Sequence, residues 1–137
     1  AGLGEAIYGA ARGVPGVVIV TTLGTGIGSA IINDGILLPN SELGHLEIDG
    51  HDAETQASAG QKTVQNLDWV TWAGRLQRYY SHVEMLFSPD LFVIGGGANH
   101  EKFLPLLNLR TPVVPAILRN TAGIVGAAFE AARESRA

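Results

Sequence analysis

Between Gly16 and Gly24 the chain carries Val17–Val18–Ile19–Val20, four β-branched residues in succession. Such side chains lose freedom in a helix and fit a pleated sheet, so an unbroken run of them predicts a buried strand. Glycines set the next segment. Leu23–Gly24–Thr25–Gly26–Ile27–Gly28 reads as a glycine-rich turn and Ser29 to Ile32 as a second strand. Asn33–Asp34–Gly35 is a hairpin signal, since these residue types tolerate the left-handed backbone of a two-residue turn. Ile36–Leu37–Leu38 returns as a third strand. An antiparallel three-strand meander is therefore expected.

Helical periodicity brackets this meander. Leu3, Ile7 and Ala10–Ala11 predict a helix over Ala1 to Arg12, stopped by Gly13–Val14–Pro15–Gly16. Residues 39–61 read as a polar loop region with a short helix near Glu54–Ala59. Leu67 to Phe87 predicts the longest helix, with Asp68 as N-cap and an apolar face through Trp69, Trp72, Leu76, Tyr79 or Tyr80, Val83 and Phe87. Ser88–Pro89–Asp90 ends it, and Leu91–Phe92–Val93–Ile94 is a strand running into Gly95–Gly96–Gly97. Lys102 to Leu107 reads as a short helix, Val113–Val114 as a short strand and Ala122 to Arg133 as a final amphipathic helix. A meander continued by α-β-α-β-α predicts an α/β layered fold in a single domain, residues 1–137.

Composition narrows the chemistry. The chain has no cysteine, which removes disulfides, thiolate zinc sites, iron–sulfur clusters and cysteine nucleophiles together. A net charge of −4 argues against a basic nucleic-acid-binding stripe. No apolar run approaches the roughly 18 residues of a membrane helix, and no charged-then-apolar leader opens the chain. A soluble, cytoplasmic protein is expected, with neither nucleic acid nor membrane as partner. The 18 glycines in 137 residues stand well above the average of about 7%, and no collagen-like period accounts for them. They point to tight turns and backbone contacts with ligands.

Three clusters carry candidate chemistry. Gly24–Thr25–Gly26 between two strands lets backbone N–H groups approach an anion without Cβ interference, and the Thr25 hydroxyl adds a donor. It is neither the dinucleotide fingerprint, whose third glycine would fall at Ser29, nor a P-loop, because no Gly-Lys-Ser/Thr comes after it. The bland alternative is a plain hairpin. A second cluster runs from Asn40 through Glu42, His45 and Glu47 to His51, Asp52 and Glu54. Carboxylates and imidazole suit sugar hydroxyls, each of which donates and accepts. Metal ligation by His45, Glu47, His51 and Asp52, a glycosidase carboxylate pair and a solvated acidic loop are the rivals. The third is Gly95–Gly96–Gly97 at a strand's C-terminal end, the edge where ligands bind in open α/β sheets, or else a simple strand-to-helix turn. Arg75, Arg78 and His82 share a helix face, either solvated or a polyanion track, and His82 and His100 are expected at the surface. Trp69 and Trp72 are expected in the core.

Together these motifs closely resemble the carboxyl-terminal lobe of the polyphosphate glucokinases. That branch belongs to the family of repressors, open-reading-frame kinases and sugar kinases on the actin-like, ribonuclease-H-like fold. The resemblance rests on Leu23–Gly28, Pro39–Glu47, Asp52–Ala53–Glu54, Pro89–Gly97 and Asn120–Ala128, five motifs in family order. It implies that Gly24, Thr25 and Gly26 form the second phosphate-binding loop and that Gly95, Gly96 and Gly97 line the donor cleft. It implies that Asn40, Glu42, His45 and Glu54 contact the sugar. In many relatives the equivalent of His45 also binds zinc beside a cysteine cluster; without cysteine, no zinc is expected here.

The resemblance further implies transfer of a phosphoryl group from polyphosphate or ATP to the 6-hydroxyl of glucose, with Mg²⁺, in a homodimer formed through this lobe. It also implies an amino-terminal lobe, carrying a first phosphate loop and the catalytic aspartate, ahead of Ala1. No such motif occurs in the 137 residues, so no catalytic base is expected within them, and the chain alone is expected to be inactive. A sugar-sensing regulator of the same family is the non-enzymatic alternative. A glycosidase using Glu42 and Glu54 would explain neither the Gly-Thr-Gly loop nor the triple glycine.

Overall fold

The computed structural model describes residues 13–38, 41–96 and 100–116. Strands β1 (Val17–Leu23), β2 (Ile27–Asn33) and β3 (Ile36–Leu38) form the expected meander. Short strands β4 (Glu47–Ile48) and β5 (His51–Asp52) come next, then helices α1 (Glu54–Ala57), α2 (Ala59–Val64) and α3 (Trp69–Phe87). Strand β6 (Leu91–Gly96), helix α4 (His100–Phe103) and strand β7 (Val113–Pro115) complete the order. The expected helices over Ala1–Arg12 and Ala122–Arg133 lie outside the described residues.

The main sheet has the strand order β3-β2-β1-β6-β7. β1 pairs antiparallel with β2 and parallel with β6, while β7 is parallel to β6. The β2–β3 turn has Asp34 at φ 50° and Gly35 at φ 82°, the left-handed pair that a two-residue hairpin demands. Alternation splits the sheet between two cores. Ile19, Leu23, Phe92 and Ile94 face α3 and meet Trp72, Leu76, Tyr79, Tyr80 and Val83. Val18, Val20, Ile32, Leu91 and Val93 form the core of the opposite face. This two-sided burial is why β1 begins as a continuous apolar run.

Helix α3 closes the long connection from β1, through β2 to β5, to its parallel neighbour β6. Asp68 caps it as expected, accepting from the Thr71 amide at 2.7 Å. Ser88 stops it at φ 44°, its N–H donating to the Glu84 carbonyl. Glu84, buried near this end, accepts from the Thr111 amide at 2.8 Å and fastens the segment before β7. Trp72 is fully buried and donates its indole N–H to the Ala57 carbonyl at 2.9 Å, which fixes α1 against α3. Trp69 is partly buried and stacks on Phe103. His100 departs from expectation: it is only 8% exposed, its ring tilted against Phe103, because α4 turns that edge into the core. His82 is half-buried rather than at the surface.

Thr21 is the polar residue of β1 on the α3 face, and its hydroxyl lies 2.7 Å from the Tyr80 hydroxyl, both buried. Tyr80→Phe leaves the Thr21 hydroxyl buried without its partner and is expected to lower stability by about 1–2 kcal/mol. The double variant Thr21→Val/Tyr80→Phe removes both polar groups and is expected to recover most of that loss. Urea unfolding midpoints at unchanged slope check both.

Candidate functional site

The C-terminal end of β1, the start of β2 and the end of β6 meet at one edge of the sheet. Gly24, Thr25 and Gly26 form the β1–β2 turn. The Gly24 N–H donates to the Gly26 carbonyl at 3.0 Å, and the Gly24 carbonyl accepts from the Gly60 N–H at 2.9 Å. The first residues of α2 thus buttress the turn. A Cβ on Gly60 would stand 3.1 Å from Thr25 Cα, so this approach depends on the absence of a side chain.

Leu23 pairs with Gly96 across the parallel ladder, and Thr22 with Gly95. Gly96 has φ +109°, and a Cβ there would strike the Leu23 backbone. Its glycine is a steric requirement of the strand end. Thr22 to Gly28, Glu54 and Gly96 enclose an open cleft of about 480 Å³. Gly97 and Asn40 lie outside the described residues.

The acidic segment folds back onto this cleft. Ser29 holds its beginning: the Ser29 hydroxyl accepts from the Leu43 amide at 3.0 Å, and the Ser41 hydroxyl donates to the Ser29 carbonyl at 3.1 Å. Residues Leu43–His45 then make one 3-10 turn. A Cβ on buried Gly44 would strike the Ile27 carbonyl and stand 3.0 Å from Glu54 Oε2, so only glycine lets this turn lie against β2. Across the turn Asp49–Gly50, with φ 55° and 82°, β5 returns beside β4 and pairs Glu47 with Asp52. The chain then enters α1 at Glu54.

Glu54 joins the two halves of the site. Its Oε2 accepts from the Ile27 amide at 3.0 Å, at the edge of the glycine turn. Its Oε1 lies 3.6 Å from His45 Nδ1, and Asp52 Oδ2 lies 3.3 Å from the same nitrogen. The hydrogen bond to Asp52 first, then the charge of Glu54, with a further contribution from Glu42, holds the His45 imidazole above its ordinary pKa. Glu42 is exposed and immediately precedes the 3-10 turn. The structure therefore brings Glu42, His45 and Glu54 into one electrostatic cluster, and Glu54 into one cleft with Gly24, Thr25, Gly26 and Gly96.

Arg75 and Arg78 serve another purpose than an open anion track. Arg78 pairs bidentately with Asp49 at 3.1 and 3.2 Å, and Arg75 donates to the Gln56 carbonyl at 3.1 Å. Arg78 thus fastens the β4–β5 turn to α3, and Arg75 fastens α1. Sequence reasoning missed Ser29, Gly44 and Gly60 as supports, and counted Asp52 among the carboxylates and possible metal ligands of the cluster without giving it a role beside His45. Among the described residues, no group of three or more His, Asp or Glu is placed to hold a metal ion. Nor is any helix among them long and apolar enough to cross a membrane.

No protein-family model matches the chain. A polyphosphate glucokinase of Mycobacterium tuberculosis is 50% identical over 131 residues, which cover 94% of this chain and 49% of that protein. The chain is homologous to the polyphosphate glucokinases. It spans about half the length of the curated relatives it matches. Among solved structures, the inorganic polyphosphate/ATP-glucomannokinase of Arthrobacter sp. strain KM superposes with a TM-score of 0.95 at 63% identity, over 97% of this chain and 53% of that one. A ROK hexokinase from Thermus thermophilus (22% identity, 98% of this chain and 62% of that one) has a TM-score of 0.75. So does a ROK family transcriptional regulator homologous to the E. coli MLC protein (19%, 93% and 48%). At such identities the likeness shows the fold: this homologue of the glucokinases has the actin-like fold of the ROK sugar kinases.

Glu54→Ala removes the acceptor of the Ile27 amide. A hydrogen bond to a charged group contributes about 1.5–3 kcal/mol, so exchange of that amide is expected to quicken by at least about tenfold. Hydrogen exchange read residue by residue checks this, with amides in the middle of β1 unchanged.

Proposed function

We propose that this chain is the sugar-binding lobe of a glucokinase that transfers a phosphoryl group from polyphosphate or ATP to the 6-hydroxyl of glucose. The observation that carries this reading is the Glu54 carboxylate, which lies 3.6 Å from His45 on one side and accepts from the Ile27 amide on the other. A sugar held by Glu42, His45 and Glu54 would lie next to phosphates cradled by Gly24, Thr25 and Gly26, with Gly95 and Gly96 behind. Asn40 and Gly97 extend the two sets in sequence. A carboxylate offers about four acceptor positions, so Glu54 keeps capacity for sugar hydroxyls beyond the two contacts it makes.

Phosphoryl transfer is mostly positioning and charge stabilisation, with a base in reach of the attacking hydroxyl. The base and the first phosphate loop belong, in this proposal, to a second lobe that precedes residue 1. Mg²⁺ would arrive on the donor's phosphate oxygens and neutralise charge there. The described residues form no cage for it, so the chain's share is orientation: Glu42, His45 and Glu54 grip the far side of the sugar, and the 6-hydroxyl faces the donor. Cytoplasmic location and a homodimer through this lobe complete the proposal. Trp72, being fully buried, is not available to such an interface.

The test is formation of glucose 6-phosphate from glucose and Mg²⁺, with polyphosphate and ATP offered separately. It is run on the 137-residue chain and on the chain joined to its preceding lobe. Activity is expected only in the two-lobe form. There, Glu54→Gln is expected to raise the glucose KM about tenfold, because the hydroxyls lose a charged acceptor. An unchanged KM would overturn the assignment. Glucose binding without turnover by either donor would favour the sugar-sensing regulator.

A further inference from the structure

Asp52 belongs to none of the sugar-contacting positions above, yet its carboxylate is the nearest acid to His45. Its Oδ2 lies 3.3 Å from His45 Nδ1, closer than Glu54 Oε1 at 3.6 Å. We infer that Asp52 is a positioning residue, which keeps the proton on His45 Nδ1 and so presents Nε2 to a sugar hydroxyl. The inference rests on the proposed sugar site and adds to it the group that orients its histidine.

The geometry has a cause in the fold. Both carboxylates lie on the Nδ1 side of the ring, and two acceptors there favour the tautomer with hydrogen on Nδ1. The opposite nitrogen, Nε2, is then left for a sugar hydroxyl, as an acceptor in the neutral ring and as a donor in the imidazolium that the surrounding acids favour. That side chain is 56% exposed and Asp52 52% exposed, so solvent screens the pair and it adds little to folding. Its value lies in orientation. The β4–β5 hairpin delivers Asp52 to this place, through the Asp49–Gly50 turn and the pairing of Glu47 with Asp52. Arg78 on α3 grips the tip of that hairpin through Asp49 at 3.1 Å. The acidic groups bearing on the imidazole are Asp52 from β5, Glu54 from α1 and Glu42 from the segment before the 3-10 turn.

The test uses the two-lobe enzyme with glucose, varying Asp52 alone and together with His45. Asp52→Ala is expected to raise the glucose KM about fivefold, with kcat within about twofold, as befits an exposed pair at the upper end of its range. Asp52→Asn, which keeps a neutral acceptor, should fall between. In a His45→Gln background, Asp52→Ala should add nothing, because its effect passes through the imidazole. A second measurement is independent of turnover: ¹⁵N shifts of the His45 ring should show hydrogen on Nδ1 in the native protein and a shift toward the Nε2–H form in Asp52→Ala. An unchanged KM in Asp52→Ala, an equal rise in the His45→Gln background, or a neutral native ring with its hydrogen on Nε2 would each overturn the inference. If His45→Gln itself leaves the glucose KM unmoved, the sugar-site reading fails and takes this one with it. If His45→Gln raises it and Asp52→Ala does not, only the positioning role is lost.

Discussion

The hydrogen bond from the Ile27 amide to Glu54 is the contact on which the site depends. It ties a side chain at the start of α1 to the backbone at the start of β2, 27 residues away. Three features of the chain exist around it. A Cβ on Gly26 would stand 2.6 Å from Glu54 Oε2 and push the carboxylate aside, and one on Gly44 would strike the Ile27 carbonyl and stand 3.0 Å from the same oxygen. Trp72 must hold α1 in place, through its bond to the Ala57 carbonyl. Without this convergence the glycine turn and the acidic segment would be two loops on one surface; with it, a displacement of either is felt by the other.

Sheet topology decides where that convergence happens. β1 and β6 run parallel, so both leave the core at the same edge, and the register sets Leu23 against Gly96. Parallel strands need a long crossover, here α3, whose buried face lies under β1 and β6. The same helix carries Arg78, which holds the β4–β5 turn of the acidic segment, and Arg75, which holds α1 behind it. One element therefore fills the core and braces the site. This economy explains why a helix face that reads as a solvated stripe is occupied by committed cations.

The meander, the α3 crossover with its Asp68 cap and the strand entering the triple glycine could all be read from residue order, because each is written in local physics. β-branched runs, left-handed turn residues and capping side chains act over a few positions. The site was legible only in its parts. Glu54 stands out as an acid in a polar segment, but nothing local says that its carboxylate meets the Ile27 amide. Ser29 reads as the start of a strand and as a residue that spoils a dinucleotide motif; folding makes it the clamp for Leu43 and Ser41. His100 was misplaced because polar character argues for the surface, while α4 and Phe103 enclose it. In each case the missing information is a contact between distant segments, which spacing does not encode.

Charge in the cleft bears on what it can hold. Among the described residues, its lining from Thr22 to Gly28, with Glu54 and Gly96, contains no cation and one carboxylate. A phosphate placed there is met by dipoles instead of by ions. Of the turn's amides, Gly24 donates to the Gly26 carbonyl and Ile27 to Glu54, so Thr25 and Gly26 supply the remaining N–H donors, with the Thr25 hydroxyl beside them. Such donors fix position well and compensate charge poorly, since a neutral N–H bond is about half as strong as a charged one. A polyanionic donor bound at this edge therefore draws its neutralisation from groups that approach from outside the lining. Under the proposed function labour would divide accordingly: this half of the cleft would set where the phosphates lie, and the opposing half and the metal on the donor would set how tightly they are held.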